Sequence, residues 1–120
     1  MSMACGARFD AVRVVAERGV RLAGAVLAAG GRGPVLADPY SGSWHVFTDP
    51  GTMADGPWSG AGMRLLRAGT RLKVPPLDAT RGGDLYWYVQ HGIGITSARQ
   101  LTVALFTAAG LAVPPEVAAP

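Results

Sequence analysis

The chain has 120 residues, of which 49% are hydrophobic and 16% are charged, and its formal net charge is +3. These values are typical of a single globular domain, exclude an intrinsically disordered chain, and permit binding to polyanions without requiring it. With one cysteine the chain has no disulfide framework and no cysteine metal site, which fits a reducing cytoplasm, and its apolar stretches are too short to span a membrane.

The first predicted element is a strand over residues 9–14, in which Arg13 shares a face with Phe9 and Ala11. A helix that begins two residues earlier is the alternative for the same segment. A helical pattern follows over residues 16–29, where apolar residues recur at helical spacing and a glycine pair marks the end. The N-terminal part of the chain therefore predicts a strand that leads into a helix.

Two further strands are predicted over residues 35–37 and 44–48. The turn-forming composition of residues 38–42 joins them most simply as an antiparallel hairpin. Residues 49–61 are rich in glycine and proline and predict a loop that cannot continue a sheet.

Residues 62–76 predict a second β-hairpin, which reverses near Gly69 because a positive φ is favourable there. Arg71 and Lys73 then share one face of its second strand, and Arg64 lies close by on the first. We expect this small cationic surface to contact phosphates. The alternative is the solvated outer face of an ordinary sheet.

An aromatic strand is predicted over residues 85–90, with three apolar residues on one face: Leu85, Trp87 and Val89. Trp87 is expected to be a core residue. Tyr86 and Tyr88 lie on the other face, and we expect them to be exposed and able to stack on bases beside the cationic surface. The alternative is that these rings belong to the core, as most aromatic side chains do.

The last predicted elements are a helix over residues 97–109, which Gly110 ends, and a proline-rich tail over residues 113–120 that is extended or disordered. Residues 1–112 form one globular domain. The whole pattern predicts an α+β fold, with a single, mostly antiparallel sheet of five to six strands and two helices packed on one face.

Three short motifs occur in order along the chain. They are Phe9-Asp10-Ala11-Val12, Ser43-Trp44-His45, and a segment with Gly62, Gly69 and Val74-Pro75-Pro76 that precedes Leu85-Tyr86-Trp87. Over roughly residues 9–110 they resemble the motifs of bifunctional DNA primase/polymerase domains, which have the archaeo-eukaryotic primase-like fold. The resemblance implies that His45 contacts nucleotide phosphates, with the Ser43 hydroxyl beside it. The alternative is a histidine on the polar face of an ordinary strand.

The chain departs from this family where the family's polymerases hold two metal ions with three carboxylates. Val12 stands where the second acidic residue is expected, and Arg64 stands where the third is expected. Carboxylate oxygens place and neutralise such cations, whereas a guanidinium repels them. The resemblance therefore implies no catalytic residues, no metal and no cofactor, and it favours a protein that is not an enzyme.

We accordingly expect a non-catalytic primase/polymerase-like domain that binds a nucleotide or nucleic acid weakly, in a regulatory role. The alternative is a structural or regulatory protein-interaction module without a ligand, and an active primase/polymerase comes third. We also expect a homodimer, since the strands at 35–37 and 85–90 contain no proline or lysine to guard a free edge. In the competing view the helix at 97–109 and the loop at 49–61 complete the monomer.

Overall fold

A computed structural model describes residues 2–6, 8–39, 41–51, 53–76, 79, 85–89 and 94–118. The elements follow in the order β1 (Ser2–Ala4), β2 (Asp10–Val15), α1 (Ala16–Ala28), β3 (Val35–Asp38), β4 (Ser43–Thr48), a 3₁₀ turn (Pro57–Gly60), β5 (Met63–Leu66), β6 (Arg71–Lys73), β7 (Tyr86–Val89), α2 (Ala98–Ala108) and α3 (Pro115–Ala118). Within these described segments, no helix combines the length and hydrophobicity that a membrane crossing requires.

The main sheet has five antiparallel strands in the order β5-β2-β4-β3-β7. Helices α1 and α2 contact each other and cover one face of this sheet, where their apolar residues share a core with Val12, Val14, Val35 and Val46. This arrangement confirms the predicted α+β fold with both helices on one face.

Local capping signals explain where the two main helices begin and end. Ser97 and Gln100 form a capping box, in which the Ser97 hydroxyl accepts from the Gln100 backbone at 3.1 Å and the Gln100 side chain accepts from the Ser97 backbone at 2.9 Å. Gly30 and Gly110 adopt φ values of 93° and 73° directly after the helices. Both helices therefore lie within a residue of their predicted bounds.

A two-stranded ribbon lies on the opposite face of the sheet, and it corrects the predicted hairpin over residues 62–76. The chain does reverse at Gly69, but β6 leaves the sheet and pairs with β1 instead of β5. In this position Leu72 packs on the apolar part of the sheet face, next to Ala11 and Phe47. Covering that apolar surface requires β6 to lie in a second layer, which is the physical reason for the different pairing.

The edge strand β7 contains an irregularity that corrects one face assignment. Val35 pairs with Val89 and Leu36 pairs with Trp87, so Tyr88 is an additional residue without its own register partner. Such a bulge reverses the alternation of side chains along a strand. Trp87 is consequently buried between the sheet and the ribbon, which confirms it as a core residue, whereas Val89 faces the helices and does not share its face. Residue 90 lies outside the described residues.

Two other segments contain more structure than their composition predicts. The tail over residues 113–120 includes the short helix Pro115–Ala118, because Pro115 occupies a first-turn position where its missing N–H is tolerated. The loop over residues 49–61 includes the 3₁₀ turn, and this turn buries Trp58 in the core beneath the helices.

Candidate anion-binding surface

A row of residues crosses the sheet on the face opposite the helices. Arg64 on β5 is paired in register with Arg13 on β2, Arg13 with His45 on β4, and His45 with Leu36 on β3. Residues paired in register share a face, so these side chains lie on one side of the sheet. We use the name arginine strip for Arg13, Ser43, His45 and Arg64. The ribbon packs on the adjacent part of this face and leaves both arginines exposed.

The direct pairing of Arg13 with Arg64 is the most unusual feature of the strip. Like charges at directly opposite positions of an antiparallel pair repel each other and destabilise it. No carboxylate among the described residues forms an ion pair with either guanidinium. The repulsion would be relieved by an anion that lies between the two side chains.

Arg13 is held in place by a neighbouring strand. Its Nε donates a hydrogen bond to the Ser43 hydroxyl at 3.0 Å, and the Ser43 hydroxyl lies 2.9 Å from the hydroxyl of Ser41. Ser43 is buried and pairs in register with Asp38 at the end of β3. Because Nε is the atom used, the two terminal nitrogens of the guanidinium remain free to bind another group.

His45 lies at the buried end of the strip, and only 7% of its surface is exposed. Burial, with a smaller contribution from the positive charge of Arg13, lowers the pKa of His45 from 6.5 to about 4, and Asp38 acts in the opposite direction. The imidazole is therefore neutral at pH 7 and has one donor and one acceptor nitrogen. Its Nδ1 is buried and has no hydrogen-bond partner in the described part of the chain, which is an exception among buried polar atoms.

The structure places Arg71 and Lys73 away from the strip. They alternate with the buried Leu72 on β6, and both are exposed on the outer side of the ribbon. Arg71 and Lys73 do share one exposed face of their strand, as predicted, but Arg64 is not on the neighbouring strand as the predicted hairpin required. The correction follows from the pairing of β6 with β1.

The tyrosines also lie apart from the cations. Tyr86 pairs in register with Ala37 on the helix-covered face, and it is half-buried. Tyr88 is 47% exposed, as predicted, but its ring packs against Trp44 with 4.6 Å between the ring centroids. The predicted combination of stacking tyrosines beside phosphate-binding arginines is thus not formed, because the two sets are on opposite faces of the sheet.

The positions that resemble the acidic motif face the helices. Val12 is fully buried in the core, and Asp10 is buried with its Oδ2 accepting from the Gly51 N–H at 2.8 Å. His45 and Arg64 lie on the other face, so the motif positions do not meet at one site. In the described segments no three His, Cys, Asp or Glu side chains come together in a way that could hold a metal ion.

Arg13 is the residue that the sequence did not single out. Its place on the face of Phe9 and Ala11 could be read from the alternation along β2. Its pairing with Arg64 could not, because that requires the register between two strands about 50 residues apart in the chain.

Comparisons of this chain with protein-family models, with curated proteins and with solved structures found no match.

Proposed function

We propose that this chain is a non-catalytic domain that binds phosphorylated ligands, either nucleotides or single-stranded nucleic acid, through the arginine strip. The observation that carries the proposal is the direct cross-strand pairing of Arg13 with Arg64 without a carboxylate partner in the described chain. In this proposal the chain is a degenerate relative of the primase/polymerase domains that its motifs resemble, and its role is regulatory.

The chemistry of the strip suits a phosphate group. Guanidinium groups bind phosphate oxygens through paired, charge-assisted hydrogen bonds, and Arg13 is already oriented by Ser43. Asp38 stands at the opposite end of the strip and carries the opposing charge. Two exposed arginines with an acidic neighbour should give weak, salt-sensitive binding rather than a tight site.

The first prediction distinguishes binding by the arginine strip from binding by the basic residues of the ribbon. An Arg13→Ala, Arg64→Ala variant should bind a mixed-sequence single-stranded oligonucleotide more weakly at low salt. Its log–log dependence of affinity on salt should be less steep by roughly 1.4, since each lost phosphate contact removes about 0.7 from the slope. Fluorescence anisotropy over a salt series measures both quantities, and nucleotides serve as competitors.

The matched control is an Arg71→Ala, Lys73→Ala variant, which removes the same charge from the outer side of the ribbon. All four positions are exposed, and circular dichroism checks that both variants remain folded, because Arg13→Ala also removes the hydrogen bond to Ser43. Unchanged affinity in the control, with reduced affinity in the strip variant, supports the proposal. Equal losses in the two variants would indicate nonspecific attraction to net charge and would contradict it.

A second candidate function is protein interaction through self-association, and an apolar groove favours it. The groove has a volume of about 190 Å³, lies between α1 and β7, and is lined mainly by apolar residues that include Val20, Ala23, Leu27, Val35, Tyr88 and Val89. Val20, Leu27 and Tyr88 are large and exposed. The edge strands of the sheet are β5 and β7, whereas β3, predicted as a free edge, lies between β4 and β7.

The second prediction follows from this groove. If two copies associate there, sedimentation at micromolar concentration should show a mass above 12.4 kDa that increases with concentration. Leu27→Glu should abolish the increase, because it places a charge in the apolar groove. Ala28→Glu is the control, since Ala28 is exposed on α1 and does not line the groove. A monomer mass at every concentration would eliminate this candidate.

A further inference from the structure

We infer that the arginine strip selects a terminal phosphate, the phosphomonoester of a free nucleotide or of a phosphorylated strand end, over the internal phosphodiesters of a nucleic acid. The inference rests on the proposed function, because it concerns the same residues. It goes further by naming the chemical group that the strip recognises.

The first argument is charge. Register pairing places the Cα atoms of Arg13 and Arg64 about 5 Å apart, so two long side chains can close on one group. A phosphomonoester carries a charge of about −1.5 to −2 at pH 7, which balances both guanidinium groups at a single point. An internal phosphodiester carries one negative charge, and the next charge along the strand belongs to another nucleotide. The paired arginines therefore match a dianion better than a strand.

The second argument is the number of donors. A phosphomonoester presents three terminal oxygens as acceptors, whereas a phosphodiester has only two that are not bridging. The strip offers three separate donor groups: the guanidinium groups of Arg13 and Arg64 and one ring nitrogen of the neutral His45 imidazole.

The ligand, and not His45, sets the pH range of this selectivity. Arg13 faces the imidazole from β2 and Asp38 faces it from β3, while Arg64 lies beyond Arg13 on β5. Since the pKa of His45 is lowered to about 4, the imidazole stays neutral from pH 5 to 8. The titrating group in that range is the ligand, whose second pKa is about 6. Preference for the monoester should therefore be present above pH 6 and decline below it.

The test uses the full chain and two oligonucleotides of identical sequence, one with a 5′-phosphate and one with a 5′-hydroxyl. The phosphorylated strand should bind about tenfold more tightly at pH 7.5, the effect of one additional hydrogen bond to a charged group. This advantage should shrink at pH 5.5. Arg64→Gln should remove the advantage without affecting folding, because Arg64 is exposed. His45→Gln should reduce it, with circular dichroism as the folding check, and the Arg71→Ala, Lys73→Ala variant should retain it.

Competition separates the two sources of the phosphate. If thymidine 5′-monophosphate displaces the 5′-phosphorylated oligonucleotide and thymidine does not, a free nucleotide is sufficient to occupy the strip. If neither compound displaces the oligonucleotide and the preference for the 5′-phosphate persists, the strip recognises the phosphorylated end of a strand. Either result supports selection of a monoester.

Equal affinity for the two oligonucleotides, with both still dependent on Arg13 and Arg64, would overturn this inference and leave the proposed function in place. Absence of binding to every probe, or binding that the strip variant does not weaken, would overturn both.

Discussion

Replacing Trp87 with alanine should lower the free energy of unfolding by about 3–5 kcal/mol, the usual effect of truncating a buried aromatic side chain. Trp87 is 1% exposed and lies between the sheet and the ribbon. Its ring and the Phe47 ring form a T-shaped pair with 5.6 Å between centroids, and it packs with Leu36 on the neighbouring strand. Removing it would leave a cavity that rigid strands on both sides cannot close.

Thermal unfolding followed by circular dichroism measures this effect, and we expect the melting temperature to fall by roughly 10–20 °C for a domain of this size. Tyr88→Ala is the matched control on the same strand. Tyr88 is 47% exposed and packs against Trp44, so its truncation should cost about 1 kcal/mol. Equal effects of the two substitutions would mean that the faces of β7 are assigned incorrectly.

Two glycines of α1 should respond to alanine in opposite directions. A Cβ at Gly19 would lie 2.5 Å from the Trp44 ring, so Gly19→Ala should destabilise the protein by about 1–3 kcal/mol through overpacking. A Cβ at Gly24 would meet nothing within 4 Å. Gly24→Ala should therefore stabilise the protein by about 0.5–1 kcal/mol, because alanine favours the helix and restricts the unfolded chain.

Each of these variants is the control for the other, since both make the same chemical change in one helix. Urea unfolding gives the two free energies directly. If Gly19→Ala were also stabilising, the Trp44 ring would have moved aside at little energetic cost. The contact between α1 and β4 would then not require glycine at position 19. If Gly24→Ala were destabilising, the open environment described for this residue would be incorrect.

The elements that were predicted well from the sequence are determined by residues close to them in the chain. The capping box of Ser97 and Gln100 and the glycines at positions 30 and 110 lie within a few residues of the helix ends that they determine. The hairpin of β3 and β4 was equally accessible, because a short turn joins strands that are neighbours in the sheet. In each case the residues that decide the structure are close together in the chain.

The elements that the sequence predicted poorly depend on distant partners. Alternation in residues 71–73 indicates a strand but does not say which strand pairs with it, and β1 is about 70 residues away. The bulge at Tyr88 likewise depends on how β7 meets β3, so the orientation of Val89 could not be read from its own segment.

The candidate site shows the same division. His45, Ser43 and Arg64 were selected as phosphate-binding candidates, and the structure brings these three to one face of the sheet. Arg71 and Lys73 were added because of an assumed hairpin, and they lie elsewhere. Arg13 was missed because its importance comes from two strand pairings, one to Arg64 and one to His45, which only the folded sheet defines.

The burial of Cys5 has a consequence for the motions of this protein. Cys5 follows β1, its N–H donates to the Thr70 carbonyl at 2.8 Å, and its side chain is enclosed where the ribbon meets the sheet. Burial raises the pKa of this thiol, and the nearby charge of Asp10 raises it further, so the reactive thiolate is scarce in the closed state. A thiol reagent can then reach the chain's single cysteine when the ribbon separates from the sheet or when the whole domain unfolds. If the ribbon opens by itself while the five-stranded sheet stays folded, Cys5 should be labelled faster than the whole domain unfolds.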